Sequence, residues 1–491
     1  MSILHVDDSF VRDVPELSTP WEPQPAPSPQ LIVVSESVAA ELGFDPAELA
    51  TPDGIAELVG NTPVSGAKPV AMAYAGHQFG GYSPRLGDGR AVLLGEVANP
   101  SGVRFDLHLK GSGRTPYARG GDGNATTSAM LREFLFAEAM HALGIPTTRA
   151  LAVVGTGGQV VRQNGPEPGA VLVRTASSHL RVGTFEYAVR LDDDKDVLRR
   201  LADYAIERHD PDLQGNDDRY LGLLRNVVGR QAQLVSKWML VGFIHGVLNT
   251  DNVTISGETI DYGPCAFMDR FDPKTVFSSI DHQGRYAFGN QPAITHWNLT
   301  RFAETLVPLI DDDFDVAVPM VTEVLDTFAT EFQTAWLDGM RTKLGLVVDG
   351  ATRDRDEHIV DTFLGLLHEH RVDFTTAFRS LAQNLRGDDH VRSLFEDATA
   401  VDAWLTSWRD ALGDRDRNLV AAEMDAVNPV YVLRNHLVEE ALSDATSGDM
   451  TAFERLLEIT NQPFVAQEDA AKYADPAPDA FTDTHQTFCG T

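Results

Sequence analysis

The chain has 491 residues, 43% hydrophobic and 23% charged, which is the composition of a globular protein of about three domain-sized units. A formal net charge of −32 argues against a nucleic-acid partner, since a polyanion is repelled over most of such a surface. No stretch approaches the ~18 apolar residues that cross a bilayer, so no membrane association is expected. The two cysteines, Cys265 and Cys489, are too few for a zinc cage or a disulfide framework. Together with an acidic N-terminus that lacks a leader pattern, they point to the cytoplasm.

In chain order, residues 1–80 read as an N-terminal extension, proline-rich and irregular over 14–28. The runs 90–97 ("RAVLLGEV") and 103–111 ("VRFDLHLKG") flank a turn and predict a β-hairpin. A glycine-rich stretch, "GSGRTPYARGGDGNAT", then leads into a helix expected over about 126–143, capped by Asn124 or Thr126 and stopped by "GIP". "RALAVVG" and "GAVLVRT" predict two further strands. Residues 81–175 therefore form a β-rich unit. Beyond residue 190 the pattern turns helical, with one long helix expected over 222–248 and a tight hairpin in "NVTISGETIDYG". Nearly all of 293–460 is helical, divided between units at 176–330 and 331–465, and an irregular tail at 466–491 carries Cys489. The class is α+β. A β lobe followed by an α lobe is the order of a protein kinase, so a kinase-like two-lobed fold with a C-terminal helical extension is predicted.

The segment "HGVLNTDN" (245–252) reads like a kinase catalytic loop, H-x-D-L-x-x-x-N, except that Val247 stands where the proton-accepting aspartate belongs. Asp251 is the nearest carboxylate, with proton acceptor and metal ligand as its rival roles. Asn252 and Asp261 flank the expected hairpin, which brings two oxygens toward one hard cation. Lys110 alternates with Asp106 and His108 rather than with the leucines. It can hold phosphate while pairing with a helix carboxylate, Glu133 or alternatively Glu138. Gly87, Gly89 and Arg90 in "RLGDGR", and Asp122 and Gly123 in the glycine-rich stretch, are candidates to cradle phosphate, although each loop alone also reads as a plain turn. Arg174 and Arg181, seven residues apart across the expected lobe connection, are candidates to clamp the far end of a triphosphate by bidentate contacts, although two arginines alone carry little weight.

These motifs together resemble the selenoprotein O family, the bacterial YdiU-like pseudokinases. The resemblance runs through "HQFGGYSPRLGDGRAVLLGE", "DLHLKGSGRTPYARGGDGNATTSAMLREFLFAEAMHALGIPTTRALAVV", "RTASSHLRVGTFEY", "HGVLNTDNVTISGETIDYGPCAFMD", "FGNQPAITHWNLTRFAETLVPLI" and "NPVYVLRNHLVEEAL", covering about residues 70–490. It implies ATP bound back to front and AMP transferred to Ser, Thr or Tyr hydroxyls of protein substrates, with pyrophosphate released. It implies Asp251 as proton acceptor, and Asn252 and Asp261 as ligands of Mg2+ or Mn2+. Lys110 is then paired with Glu133, and Gly87, Gly89, Arg90, Lys110, Asp122, Gly123, Arg174, Arg181 and Asp261 line the nucleotide. Some members carry selenocysteine near the C-terminus, where this chain has Cys489, and a reversible disulfide from Cys489 to Cys265 is a candidate redox device. A phosphotransferase and a catalytically inactive nucleotide-binding scaffold are the competing readings.

Overall fold

A computed structural model describes residues 2–162 and 165–488. Short runs rich in Val, Leu and Ala build its strands: β1 (Ser18–Pro20), β2 (Gln30–Val34), β3 (Val70–Met72), β4 (Gly76–Gln78), β5 (Gly81–Ser83), β6 (Ala91–Ala98), β7 (Arg104–Lys110), β8 (Ala125–Thr126), β9 (Arg149–Arg162), β10 (Gly165–Ala176), β11 (Phe243–Ile244) and β12 (Ala266–Phe267). One eight-stranded sheet runs in the order β1-β3-β6-β7-β10-β9-β2, with β8 beside β10. β1 and β2, both from the first eighty residues, are its two edges. That segment is therefore part of the sheet rather than an appendage to it, and the proline-rich stretch carries the chain from one edge to the other.

The alternation in β7 sorts its side chains between two environments. Leu107 and Leu109 enter an apolar cluster with Leu94, Val97, Leu151 and Val173. Asp106, His108 and Lys110 are also buried but lie on the opposite face, among charged partners. The helix Thr127–Ala142 starts where the Thr126 hydroxyl accepts the Ala129 N–H (3.3 Å). It is apolar on nearly every side because it packs on β9 and β10 and against the helices Asn435–Thr446 and Thr451–Thr460.

Two expectations need correction. The long helix runs Arg219–Val241, not to 248, because Gly242 adopts φ 74° and forms a left-handed C-cap. The chain then forms β11, which pairs antiparallel with β12 and pins together the ends of the loop 245–265. Within that loop the expected hairpin does not form a ladder. Its arms pair outward instead: Val182 N–H to the Val253 carbonyl, Ile255 N–H to Leu180, Thr259 N–H to Pro146 and Thr148 N–H to Thr259. Only the turn survives, closed by the Thr254 hydroxyl, which accepts the Glu258 N–H (2.9 Å) and donates to the Glu258 carbonyl (2.7 Å). Flanking segments with free backbone groups compete for the same ladder positions and win.

The C-terminal half is helical, from Gln291–Ile310 through Phe314–Lys343 to Thr451–Thr460. Arg434 ties it to the segment after β12 through buried bonds to Asp269 (2.7 Å) and Asp373 (2.7 and 2.9 Å). The tail returns to the same region, where the Thr487 hydroxyl donates to the Pro264 carbonyl (2.7 Å). No helix among the described residues is long and apolar enough to cross a membrane.

Lys343 is buried, with its ammonium 4.4 Å from the Phe378 ring centroid and 5.5 Å from that of Phe374. Burial pushes its pKa down to about 7. The unfolded chain holds the proton up to the ordinary lysine value of about 10.4. Between those values the unfolded state binds more protons, so stability rises with pH, by roughly 1.4 kcal/mol per pH unit. Lys343→Met removes that slope. Urea midpoints from pH 7 to 9.5 are expected to show the variant more stable at pH 7 and the difference shrinking as pH rises. A pH-independent difference counts against this account.

Candidate active site

The charged face of β7, the end of β10 and the loop 245–265 enclose a cleft of about 400 Å³. Gly87, Gly89, Arg90, Lys110, Asp122, Gly123, Glu133, Arg174, Arg181, Asp251, Asn252 and Asp261 all line it, and so does Val247. Cys265 is not among its lining residues. It is fully buried, and burial pushes its thiol up to about 12, so it is held protonated. Cys489 lies outside the described residues.

Asp261 is the hub. Lys110 Nζ donates to its Oδ1 (2.6 Å), Arg174 Nη1 donates to the same oxygen (2.5 Å), and Arg181 Nη2 lies 3.7 Å from Oδ2. Burial alone would raise this carboxyl's pKa, but Lys110, Arg174 and Arg181 hold it well below the ordinary carboxylate range. Lys110 also binds Glu133 Oε1 (2.5 Å). The alternative partner, Glu138, is committed elsewhere, to Arg149 (2.8 and 2.9 Å).

Beneath the hub lies a second layer that sequence reasoning missed. Arg174 Nη2 donates to His108 Nδ1 (3.2 Å), which leaves His108 Nε2–H to donate to Asp88 Oδ2 (2.9 Å). Asp88 also takes the Met72 N–H (3.2 Å) and sits 3.5 Å from Arg181 Nη1. Burial opposes its ionisation, yet His108 and Arg181 bring it down to about 2. His179 stacks on His108 with ring centroids 4.3 Å apart and is kept neutral, near 3, by burial and by His108. The signal for Asp88 was its place between Gly87 and Gly89. Those glycines were read as phosphate contacts, but a Cβ at Gly87 would also lie 2.4 Å from the Tyr117 ring, so close packing of the two loops constrains that position as well.

The backbone of Val247 organises the loop. Its carbonyl accepts from Asn252 Nδ2 (2.9 Å), which leaves Asn252 Oδ1 free of that bond. His245 Nε2 donates to the carbonyl of Ile260 (2.8 Å), next to Asp261. Asp251 Oδ2 accepts from Gln78 Nε2 (3.3 Å), whereas its Oδ1 is buried without a partner. Burial raises the Asp251 pKa to about 6. Thr250 donates to Glu186 (2.5 Å) and accepts the His77 N–H (2.7 Å), fixing the residue before Asp251. Asp122 faces outward to Arg162 (2.8 Å) at the rim.

Residues 3–461 match the family model described as protein adenylyltransferase SelO. The chain belongs to that family and is a protein nucleotidyltransferase. It is 55% identical over 493 residues to the protein nucleotidyltransferase YdiU of Mycobacterium sp. (strain KMS), covering 100% of both chains. It is 55% identical over 487 residues to that of Mycolicibacterium smegmatis, covering 98% of this chain and 97% of the relative. With the YdiU protein of Rhodococcus jostii the identity is 53% over 497 residues, covering 100% and 95%.

Asp88→Asn should cost one charge-assisted hydrogen bond beneath the arginines, about 1.5–3 kcal/mol, and weaken ATP binding on the order of tenfold or more. Calorimetric titration of ATP into the folded variant checks this. Unchanged affinity would make Asp88 a scaffold residue only.

Proposed function

We propose that this cleft binds ATP with its α-phosphate toward Asp251 and transfers AMP to Ser, Thr or Tyr hydroxyls of proteins. The observation that carries the reading is the buried, unpartnered Oδ1 of Asp251, on a loop whose usual base position holds Val247. A carboxylate oxygen without a donor is suited to accept a hydroxyl proton, and burial brings its pKa toward neutrality. Lys110, Arg174 and Arg181 converge on Asp261 in the same cleft and can receive a polyphosphate. On this reading Gly87, Gly89, Arg90, Asp122 and Gly123 line the nucleotide from the two glycine loops. The sheet and the helical body then act as the two lobes of a kinase-like plan in the cytoplasm, with the division at about residue 175.

A divalent ion, Mg2+ or Mn2+, fits the donor set. Asn252 and Asp261 offer hard oxygen ligands in one cleft. Among the described residues no group of three His, Cys, Asp or Glu side chains can hold an ion alone, so phosphate oxygens and water would complete its shell. When bound, such an ion neutralises phosphate charge. The chain's own residues do the rest. Lys110, fixed by Glu133, presents an ammonium to phosphate. Asn252 is oriented by Val247. Asp251 takes the acceptor proton, and pyrophosphate departs into the arginine-lined end.

ATP labelled in the α-phosphate should mark protein acceptors, and ATP labelled in the γ-phosphate should not. Asp251→Ala is expected to lower transfer by about 10²–10⁴-fold with ATP affinity retained. Label from the γ-phosphate would favour the phosphotransferase reading. Binding without either label would favour a scaffold, and full transfer by Asp251→Ala would remove Asp251 from its role.

A further inference from the structure

The hairpin β4–β5, in the motif "HQFGG", touches the loop 245–265 through His77 and Gln78, and its turn faces the cleft. Gln78 pairs with Gly81 across a two-residue turn, Phe79-Gly80, and both turn residues have positive φ, 51° and 82°. Such a turn is ordinarily built on Asn-Gly or Gly-Gly, because a bulky L-residue is disfavoured there. Phe79 is nevertheless locked in place. Its N–H faces Asn249 Oδ1 (3.1 Å) and the Tyr286 hydroxyl (3.2 Å), and its ring meets that of Tyr286 edge-on at 5.1 Å. Among the described residues six non-glycines have left-handed backbone, and three of them, Phe79, Arg119 and Asp261, line the cleft. Backbone strain held by its surroundings gathers at working surfaces.

The ring itself is left in the open. Phe79 is 40% exposed and Ile280 is 54% exposed, and both line the cleft. The preceding residue, Gln78, is the side-chain hydrogen-bond donor to Asp251, and its Oε1 accepts from Arg119 (3.2 Å). An apolar lip therefore lies one residue along the hairpin from the group that receives the acceptor hydroxyl.

We propose that Phe79, with Ile280, forms the acceptor-recognition lip, which binds a bulky apolar side chain of the substrate polypeptide close to the modified hydroxyl. This rests on the transfer reading above. Gln78, which donates to Asp251 (3.3 Å), directly precedes Phe79, so the ring stands near the proposed proton acceptor. The occupant is a polypeptide because the chain belongs to a protein adenylyltransferase family and the exposed Phe79 and Ile280 share one cleft with Asp251.

The backbone supplies an unusually clean test. Phe79→Gly removes the ring and relaxes the turn, so the fold is retained or stabilised. Wild type, Phe79→Gly and Phe79→Leu are assayed on a peptide library with a fixed Ser, Thr or Tyr and randomised flanks. Wild type should select a bulky apolar residue near the hydroxyl. Phe79→Gly should lose that selection, with at least a tenfold fall in kcat/KM carried by peptide KM, unchanged ATP affinity and an undiminished Tm. Phe79→Leu should keep most of the selection. If Phe79→Gly retains the selection, or loses ATP affinity instead, the lip is not an acceptor site. If wild type places AMP on no peptide or protein at all, this proposal and the transfer reading both fail.

Discussion

The cleft depends on one part-buried carboxylate being outnumbered. Asp261 sits in left-handed backbone at φ 62°, at the end of a loop whose arms are spent on pairing with other segments. Desolvation would make its charge prohibitive if it stood alone. Lys110 from β7, Arg174 from β10 and Arg181 from the segment after β10 compensate it. The same contacts fix the sheet to the loop 245–265. The three cations are in turn arranged by Glu133, His108 and Asp88, so the geometry of the cleft is transmitted through ion pairs and charged hydrogen bonds more than through apolar contact.

That arrangement explains how a chain of net charge −32 can offer an anion site. The acidic excess is spread over exposed helices, where water screens it. In the cleft, Arg90, Lys110, Arg119, Arg162, Arg174 and Arg181 face Asp88, Asp122, Glu133, Asp251 and Asp261. Most of those carboxylates are already engaged by the cations, and their role is to orient positive charge. On the proposed reading, a nucleotide polyphosphate entering there would compete with Asp261 for its partners.

How much of this was legible in the sequence depended on the range of each cause. The alternation that places Lys110 with His108 and Asp106, and the Thr126 cap of the helix carrying Glu133, are local patterns and could be read directly. The choice of Glu133 over Glu138 could not, because it is decided by Arg149, eleven residues beyond Glu138 and on another strand. The end of the long helix was marked by Gly242, but the apolar run continuing through Phe243 and Ile244 looked helical until β12 was available to pair with it. The turn 253–263 kept its bend and lost its ladder because Leu180, Val182, Pro146 and Thr148 are distant in sequence. Asp88 and Gln78, and the partners of His108, were overlooked for the same reason, since what each touches lies on a different element.

Val247 shows why a kinase-like loop can lose its aspartate without losing its shape. The bonds that hold the loop use the main chain at 247: its N–H reaches His245 Nδ1 (3.4 Å), and its carbonyl receives the Asn252 amide. His245 then bonds the carbonyl before Asp261, so the segments carrying Asn252 and Asp261 are coupled whatever side chain stands at 247. The scaffold and the proton acceptor are thereby separable. On the proposed reading of Asp251, whose neighbours Thr250 and Asn249 are gripped by Glu186, His77, Tyr286 and the backbone N–H of Phe79, the main chain of the hairpin braces the proton acceptor. The strain at Phe79 is then the consequence of asking one short turn to brace the loop and to present a ring to solvent.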